Sequence, residues 1–333
     1  MTPRASRRPA PFDRSRLALL PLDRRIHDMN ADQILDLTPV EESRIPGPLA
    51  ETARRVVRAR REGAPVLFMM GAHVLRSGVQ RYLADLMERG YISAVAANGA
   101  CAIHDFELAL IGATTESVAK YIAEGRFGLW RETGRINDVV NKAYAADPEA
   151  GYGQALGREI WNGDYPHKDI SLFAAGERFS VPVLVHVALG QDIIHEHPNF
   201  NPEAAARLSY NDFLTLASVV EGLSNGVVMN FGTAVMGPEV FLKALAMARN
   251  AARQQGRAVE RFSTLVADLR DLGENPCSGS DHGTETYYFR PQKTLLVRTL
   301  AGGDSFYVRG KHADTVPALW TAVGLAENEE RKA

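Results

Sequence analysis

The sequence predicts an α/β fold, one parallel sheet with helices on both of its faces. Two observations carry this. From residue 64 onward, short apolar runs alternate with amphipathic stretches. Such alternation over this length requires crossover connections, and those join parallel strands. No linker rich in proline, glycine or serine divides residues 45–325. The 333 residues could make one large domain or two smaller ones. The missing linker favours a single domain over 46–325, with an arm at 1–45 and a tail at 326–333.

The elements follow in order. APVLFMMG (64–71) reads as a buried strand. SGVQRYLADLMERG (77–90) reads as a helix with Val79, Leu83, Leu86 and Met87 on one face, ended by Gly90. ISAVAANG (92–99) is the next strand, and HDFELALIG opens a helix. A helical section covers 116–178, and VPVLVHVAL (181–189) returns to strand. Ser209 and Asp212 have capping-box spacing before a helix that carries Phe213, Leu216, Ala217 and Val220. Ser224-Asn225-Gly226 is a turn, VVMNFG (227–232) a strand, and Pro238 starts a helix ending near Gly256. RFSTLVADL, TLLVRTL and SFYV supply further strands. KHADTVPALWTAVG closes with a helix.

Composition narrows the function. The chain is 45% hydrophobic and 23% charged, which suits a globular core. A net charge of −2 gives no basic field for nucleic acid. Two cysteines, Cys101 and Cys277, exclude a disulfide framework and fit the reducing cytoplasm. No apolar run approaches the ~20 residues of a membrane span. Residues 1–25 are rich in arginine and proline. The prolines disfavour an amphipathic targeting helix, so 1–45 reads as a partly flexible basic arm, free to pack on a neighbouring subunit.

Several segments could carry chemistry. Three strands end in glycine turns: Met70-Gly71-Ala72-His73, Asn98-Gly99-Ala100-Cys101 and Phe231-Gly232-Thr233-Ala234. Glycine lets backbone N–H groups approach phosphate, although tight turns use it anyway. There is no G-x-G-x-x-G. Asp192, His195 and His197 could bind zinc for a hydrolase or lyase, or simply lie in a polar loop. Cys101, His104 and Asp105 cluster after a strand, where cysteine is more often a small buried residue than a nucleophile. Lys293 follows Tyr287, Tyr288 and Phe289. A lysine desolvated by aromatic rings becomes a nucleophile for imine chemistry; the commoner role is a lysine reaching out to water at a strand edge.

These motifs, in this order, resemble the deoxyhypusine synthase family from about residue 66 to 320. Leu75-Arg76-Ser77-Gly78-Val79-Gln80 resembles its Ser-Gly-Ile-Arg helix start. Asn98-Gly99-Ala100-Cys101 with Asp105 resembles its Ala-Gly-Gly turn and acidic run. Phe127 to Asn137 (FGLWRETGRIN) resembles its Leu-Arg-Glu-Asn-Gly-Ile-Asn-Arg-Ile segment, and Val181-Pro182-Val183 matches in placement. Gly279-Ser280-Asp281-His282-Gly283 resembles the Gly-Ser-Asp-Ser-Gly before the catalytic lysine, with Lys293 one residue short of the family spacing.

The resemblance implies a Rossmann-like fold that binds NAD, in a homotetramer with sites at subunit interfaces. It also implies hydride transfer from an amine carbon to NAD, then imine transfer through a lysine. Lys293, Asp281, His282 and Glu285 carry over as the catalytic segment, with His104 as a further proton carrier. Ala72, His73, Asn98, Gly99, Ala100, Gly232, Thr233 and Ser280 carry over as cofactor contacts. Three departures point to another substrate. Gly232 to Pro238 lacks the family's histidine, Ile103 and His104 replace its paired glutamates, and Pro291-Gln292 replaces its tryptophan. The expected substrate is a small amine-bearing metabolite rather than spermidine and a protein lysine. A nucleotide-binding relative without catalysis is the remaining alternative.

Overall fold

The computed structural model describes residues 9–279 and 283–332. Helix α1 (Gly47–Glu62) leads into β1 (Val66–Met70). Then come α2 (Ala72–Arg76), α3 (Gln80–Glu88), β2 (Ala94–Asn98), α4 (Gly99–Ile111), α5 (Val118–Ala123), α6 (Arg135–Ala146), α7 (Tyr152–Asn162), α8 (Leu172–Phe179) and β3 (Val183–His186). The second half runs α9 (Pro202–Glu221), β4 (Val227–Phe231), α10 (Met236–Gln254), β5 (Ser263–Asp268), α11 (Glu285–Tyr288), a π-helix (Pro291–Arg298), β6 (Ser305–Arg309) and α12 (His312–Lys332).

The six strands are parallel, in the order β3-β2-β1-β4-β5-β6. The chain winds outward to β3, then crosses back to β4 beside β1. The order reverses between β1 and β4, and at such a reversal the strand ends are the usual ligand position in a parallel sheet. Every residue of β1 and β4 is buried, since helices cover both faces. Phe68, Val95, Val185 and Phe231 face α1, α3, α4, α7, α8 and α12. Leu67, Ala96, Leu184 and Val228 face α10 and the second half of α9.

Helix α9 begins earlier than the sequence predicts. Asn201 caps it, its Oδ1 accepting from Glu203 N at 3.0 Å, and Pro202 fills the first position. Ser209 and Asp212 therefore sit inside the helix and do not cap it. They close the open edge of β3. Ser209 Oγ accepts from Val187 N at 3.0 Å and donates to Val185 O at 2.8 Å. Asp212 Oδ2 accepts from Val185 N at 2.7 Å and from Gly153 N at 3.0 Å. Side chains from α9 thus do what another strand would do.

One further expectation is corrected. TLLVRTL is not a strand but lies largely in the π-helix. Leu295 and Leu296 are both buried, which an alternating strand face does not explain, and Thr299 N bonds to Thr294 O five residues back. A short apolar run does not distinguish strand from buried helix. The basic arm also packs on its own chain. Leu20 N bonds to Leu129 O, Arg131 N to Leu20 O, and Met29–Asn30 pairs antiparallel with Ala113–Thr114. Leu22, Met29 and Ile34 are buried and anchor it between the arginines. No helix of the described residues is long and apolar enough to cross a membrane.

Asp212→Ala leaves the two amides on its Oδ2 unpaired in a buried place. At about 1–3 kcal/mol for each orphaned group, the loss of stability in urea unfolding is roughly 2–6 kcal/mol. A loss under about 0.5 kcal/mol, the size of an ordinary surface change, would mean the edge is held otherwise.

Candidate active site

The switch point is built from close backbone approach. Gly71 N bonds to Phe231 O, and a Cβ on Gly71 would lie 2.1 Å from Gly232 O. Gly232 is left-handed at φ 64°, and a Cβ there would lie 2.6 Å from His312 Nε2. The turns after β1 and β4 and the start of α12 thus meet without side chains between them. Nδ1 of His312 is buried with no partner among the described residues. Burial holds the ring's pKa below its usual value.

A second glycine shapes the end of β2. Asn98 caps α4, its Oδ1 accepting from Cys101 N at 3.0 Å. A Cβ on Gly99 would lie 2.0 Å from Asp192 Oδ2, so only glycine lets that carboxylate rest against the first turn of α4. Asp192 precedes the short turn Ile193–Glu196. His195 Nδ1 accepts from Gly190 N and Asp192 N, which leaves its proton on Nε2, 3.7 Å from Asp192 Oδ2. The Asp192 side chain is only 10% exposed, and among the described residues that imidazole, not a Lys or Arg, is its ion-pair neighbour. Burial pushes its pKa up to about 6.

Asp192 opens onto a cavity of about 220 Å³, lined also by Arg76, Ala100, His104, Gln191, Glu107 and Arg25. Burial pushes the His104 pKa down to about 4, so its ring is neutral. Its Nδ1 lies 2.7 Å from Thr114 Oγ1. Behind it, Arg25 and Glu107 form a two-pronged ion pair at 2.8 and 2.7 Å, with both side chains 1% exposed. Burial alone would raise the Glu107 carboxyl. Arg25 and the Thr133 and Thr114 hydroxyls outweigh it and hold the pKa below its usual value.

The residues expected from sequence divide into four groups. His104 and Ala100 line the cavity. Ala72, His73, Asn98, Gly99, Gly232 and Thr233 lie along the strand-end rim, but the Asn98 side chain caps α4 and Thr233 Oγ1 accepts from Gly237 N at 2.9 Å. What those two residues can offer a ligand is mainly backbone. Lys293 stands apart on the π-helix, half-buried, with Nζ 4.0 Å from the centre of the Tyr287 ring, and does not line this cavity. Glu285 belongs to α11. Ser280, Asp281 and His282 lie outside the described residues.

Two alternatives weaken. Cys101 is fully buried and burial pushes its thiol up to about 12, so no thiolate forms there. Asp192 and His195 meet, but His197 turns away. Its Nε2 bonds to Gly128 O at 2.8 Å, and its ring fills the space over Gly134. Among the described residues, no three His, Cys, Asp or Glu side chains are placed to hold a metal ion. Sequence reading missed Arg25, Arg76, Glu107 and Thr114. The one visible signal was Glu107, a carboxylate on the apolar face of α4 that had to find a partner.

Residues 50–143 match the family model for arginine dihydrolase ArgZ-like proteins, C-terminal, Rossmann fold. No curated protein matches the chain. Among solved structures, a mutant of AgrE in binary complex with L-arginine aligns at 14% identity and TM-score 0.50, over 89% of this chain and 35% of AgrE. AgrE with ornithine and NAD+ aligns at 12% and 0.50, over 88% and 34%. A conserved LOR/SDH protein from Methanococcus maripaludis S2 aligns at 15% and 0.50, over 87% and 74%. The chain thus spans about a third of AgrE's length. At these identities the likeness is one of fold, which is α/β and Rossmann-like. The matched model is that of ArgZ-like proteins and not of deoxyhypusine synthase, so what stands of the expectation is the α/β Rossmann-like fold.

The neutral state of His104 is directly measurable. Its Hε1 resonance, assigned by loss in His104→Gln, should not move between pH 8 and about 5, because the ring titrates near 4. A midpoint near the ordinary value of about 6.5 would mean the ring is open to water.

Proposed function

We propose that the chain is an NAD-linked enzyme that oxidises a small amine-bearing metabolite by hydride transfer. The observation that carries this is Asp192, a nearly buried carboxylate with no cation beside it among the described residues, in one cavity with a neutral histidine. A buried carboxylate calls for a positive partner, and a substrate ammonium supplies one. Arg76, on the same cavity wall, can meet an anionic group of the substrate. The AgrE complex with ornithine and NAD+ supports the reading as a fold relative that takes an amine and this cofactor.

Three features of the rim support a dinucleotide there. The β1 and β4 turns are bare of side chains where they meet, the first turn of α4 adjoins the cavity, and His312 Nδ1 awaits a partner. The backbone of Gly71, Ala72 and His73, of Gly99 and Ala100, and of Gly232 and Thr233 would hold the cofactor. NAD, when bound, supplies a hydride acceptor. The rest falls to this chain's own residues. Asp192 orients the ammonium. His104 Nε2 takes one of its protons, which frees the nitrogen lone pair to form the C=N bond as hydride leaves the adjacent carbon. The cavity wall of Ile103, Phe127 and Ile193 limits water around that carbon. Imine capture on Lys293 is no part of this proposal, because Lys293 does not line the cavity.

Calorimetric titration with NAD, after denaturing a sample to check for co-purified nucleotide, should give saturable binding near one site per chain. No binding and no bound nucleotide would remove the cofactor from the reading. Amines that then yield NADH identify the substrate. Asp192→Asn should weaken that amine about 10–100-fold, the worth of one charged hydrogen bond, with NAD affinity unchanged. In the wild type, amine affinity should fall as pH drops through about 6, because the free carboxylate protonates there. Equal affinity in the variant would place the ammonium elsewhere.

A further inference from the structure

Thr114, Glu107 and Arg25 form a chain of hydrogen bonds behind His104, and the direction of each can be deduced. Glu107 Oε1 accepts from Arg25 Nη1 at 2.8 Å and from Thr133 Oγ1 at 2.5 Å. Oε2 accepts from Arg25 Nη2 at 2.7 Å and from Thr114 Oγ1 at 2.7 Å. An ionised carboxylate has about four lone-pair sites and no hydrogen to give. Four donors therefore saturate it, and the single hydrogen of the Thr114 hydroxyl is committed to Glu107. Thr114 can then only accept at its contact with His104, so the imidazole proton lies on Nδ1. Nε2 keeps its lone pair and has no partner among the described residues.

We propose that Thr114, Glu107 and Arg25 are positioning residues that fix His104 as the Nδ1–H tautomer and present Nε2 to the cavity as the proton acceptor. The proposal rests on the reading of His104 as the base and names what sets it. It also gives the N-terminal segment a task. Arg25 comes from that segment, and Thr114 sits in the two-residue ladder opposite Met29. The segment thus supplies both the charge that ionises Glu107 and the backbone pairing that holds Thr114. In a histidine side chain the hydrogen bond made by one ring nitrogen sets where the proton lies, so the contact with Thr114 imposes Nδ1–H. Of the charged groups near the ring, Glu107 favours the protonated form, while Arg76, Arg25 and His73 oppose it.

The test is the 15N spectrum of the histidine rings in the full-length protein at neutral pH, without NAD or substrate. His104 is assigned by loss of its signals in His104→Gln. The expected result is an unprotonated nitrogen at Nε2 and a protonated one at Nδ1. Thr114→Val removes the acceptor while keeping the side-chain shape. It should shift the tautomer ratio toward Nε2–H by about 10–100-fold, the worth of a hydrogen bond tied to an ionised group. Thr114→Ser should restore the wild-type pattern, which a merely structural threonine would not require. A wild-type His104 protonated on Nε2, or a ratio unmoved in Thr114→Val, overturns the proposal. Should Thr114→Val fail to fold, the wild-type spectrum decides alone. Because the spectrum needs no cofactor, this result and the NAD titration can fail separately.

Discussion

The contact between Gly71 and Gly232 is the constraint from which the site follows. The turns after two neighbouring parallel strands come together until the Cα of one touches the carbonyl of the other, leaving no room for even a methyl group. This brings the ends of β1 and β4 together at the point where the chain reverses direction. A sheet whose strands all run one way carries its helices back and forth across its faces. Only at a reversal do two consecutive crossovers leave in opposite directions and open a crevice. His312, at the start of α12, reaches the same point because Gly232 leaves space for its ring.

Burial then decides what the polar groups around the neighbouring cavity can do. Glu107 is buried and ionised because four donors surround it. Asp192 is nearly buried with one imidazole close by, and its pKa rises. The contrast assigns different tasks to two carboxylates on one cavity. A saturated group is structural, since it has nothing left to offer a ligand. An unsaturated one is an unfilled interaction, stable only because the fold is paid for elsewhere. His104 lies between them, joined to the saturated carboxylate through Thr114 and open to the cavity on its other side.

Much of the fold was legible because burial on both faces leaves a strong mark. VLFMM and VVMNF are nearly continuous apolar runs between turn signals, and both are central parallel strands. TLLVRTL carried the same signal and misled, because a run of that length also suits a buried helical turn. Ser209 and Asp212 had the spacing of a cap, yet the edge of β3 claimed them. Local spacing cannot reveal a strand edge formed by residues some twenty positions away. His104 and the glycine turns could be named from the sequence, and the structure places His104 and Ala100 on one cavity. Asp192 reads in the sequence as a metal ligand or a polar loop residue, and its burial rests on a contact with Gly99 that local spacing does not reveal. Arg25 was hidden inside an arm whose arginines and prolines suggested solvent. Its burial depends on a carboxylate 82 residues further along.

The central claim is that a dinucleotide lies along the strand ends at this reversal. Amide hydrogen exchange followed by mass spectrometry, with and without NAD, tests it most directly. The account predicts slower exchange in residues 71–76, 99–104 and 232–237 when NAD is present, and no change in the part of α10 beyond residue 241. Unchanged exchange in all three turns, or protection confined to segments away from the strand ends, would contradict it.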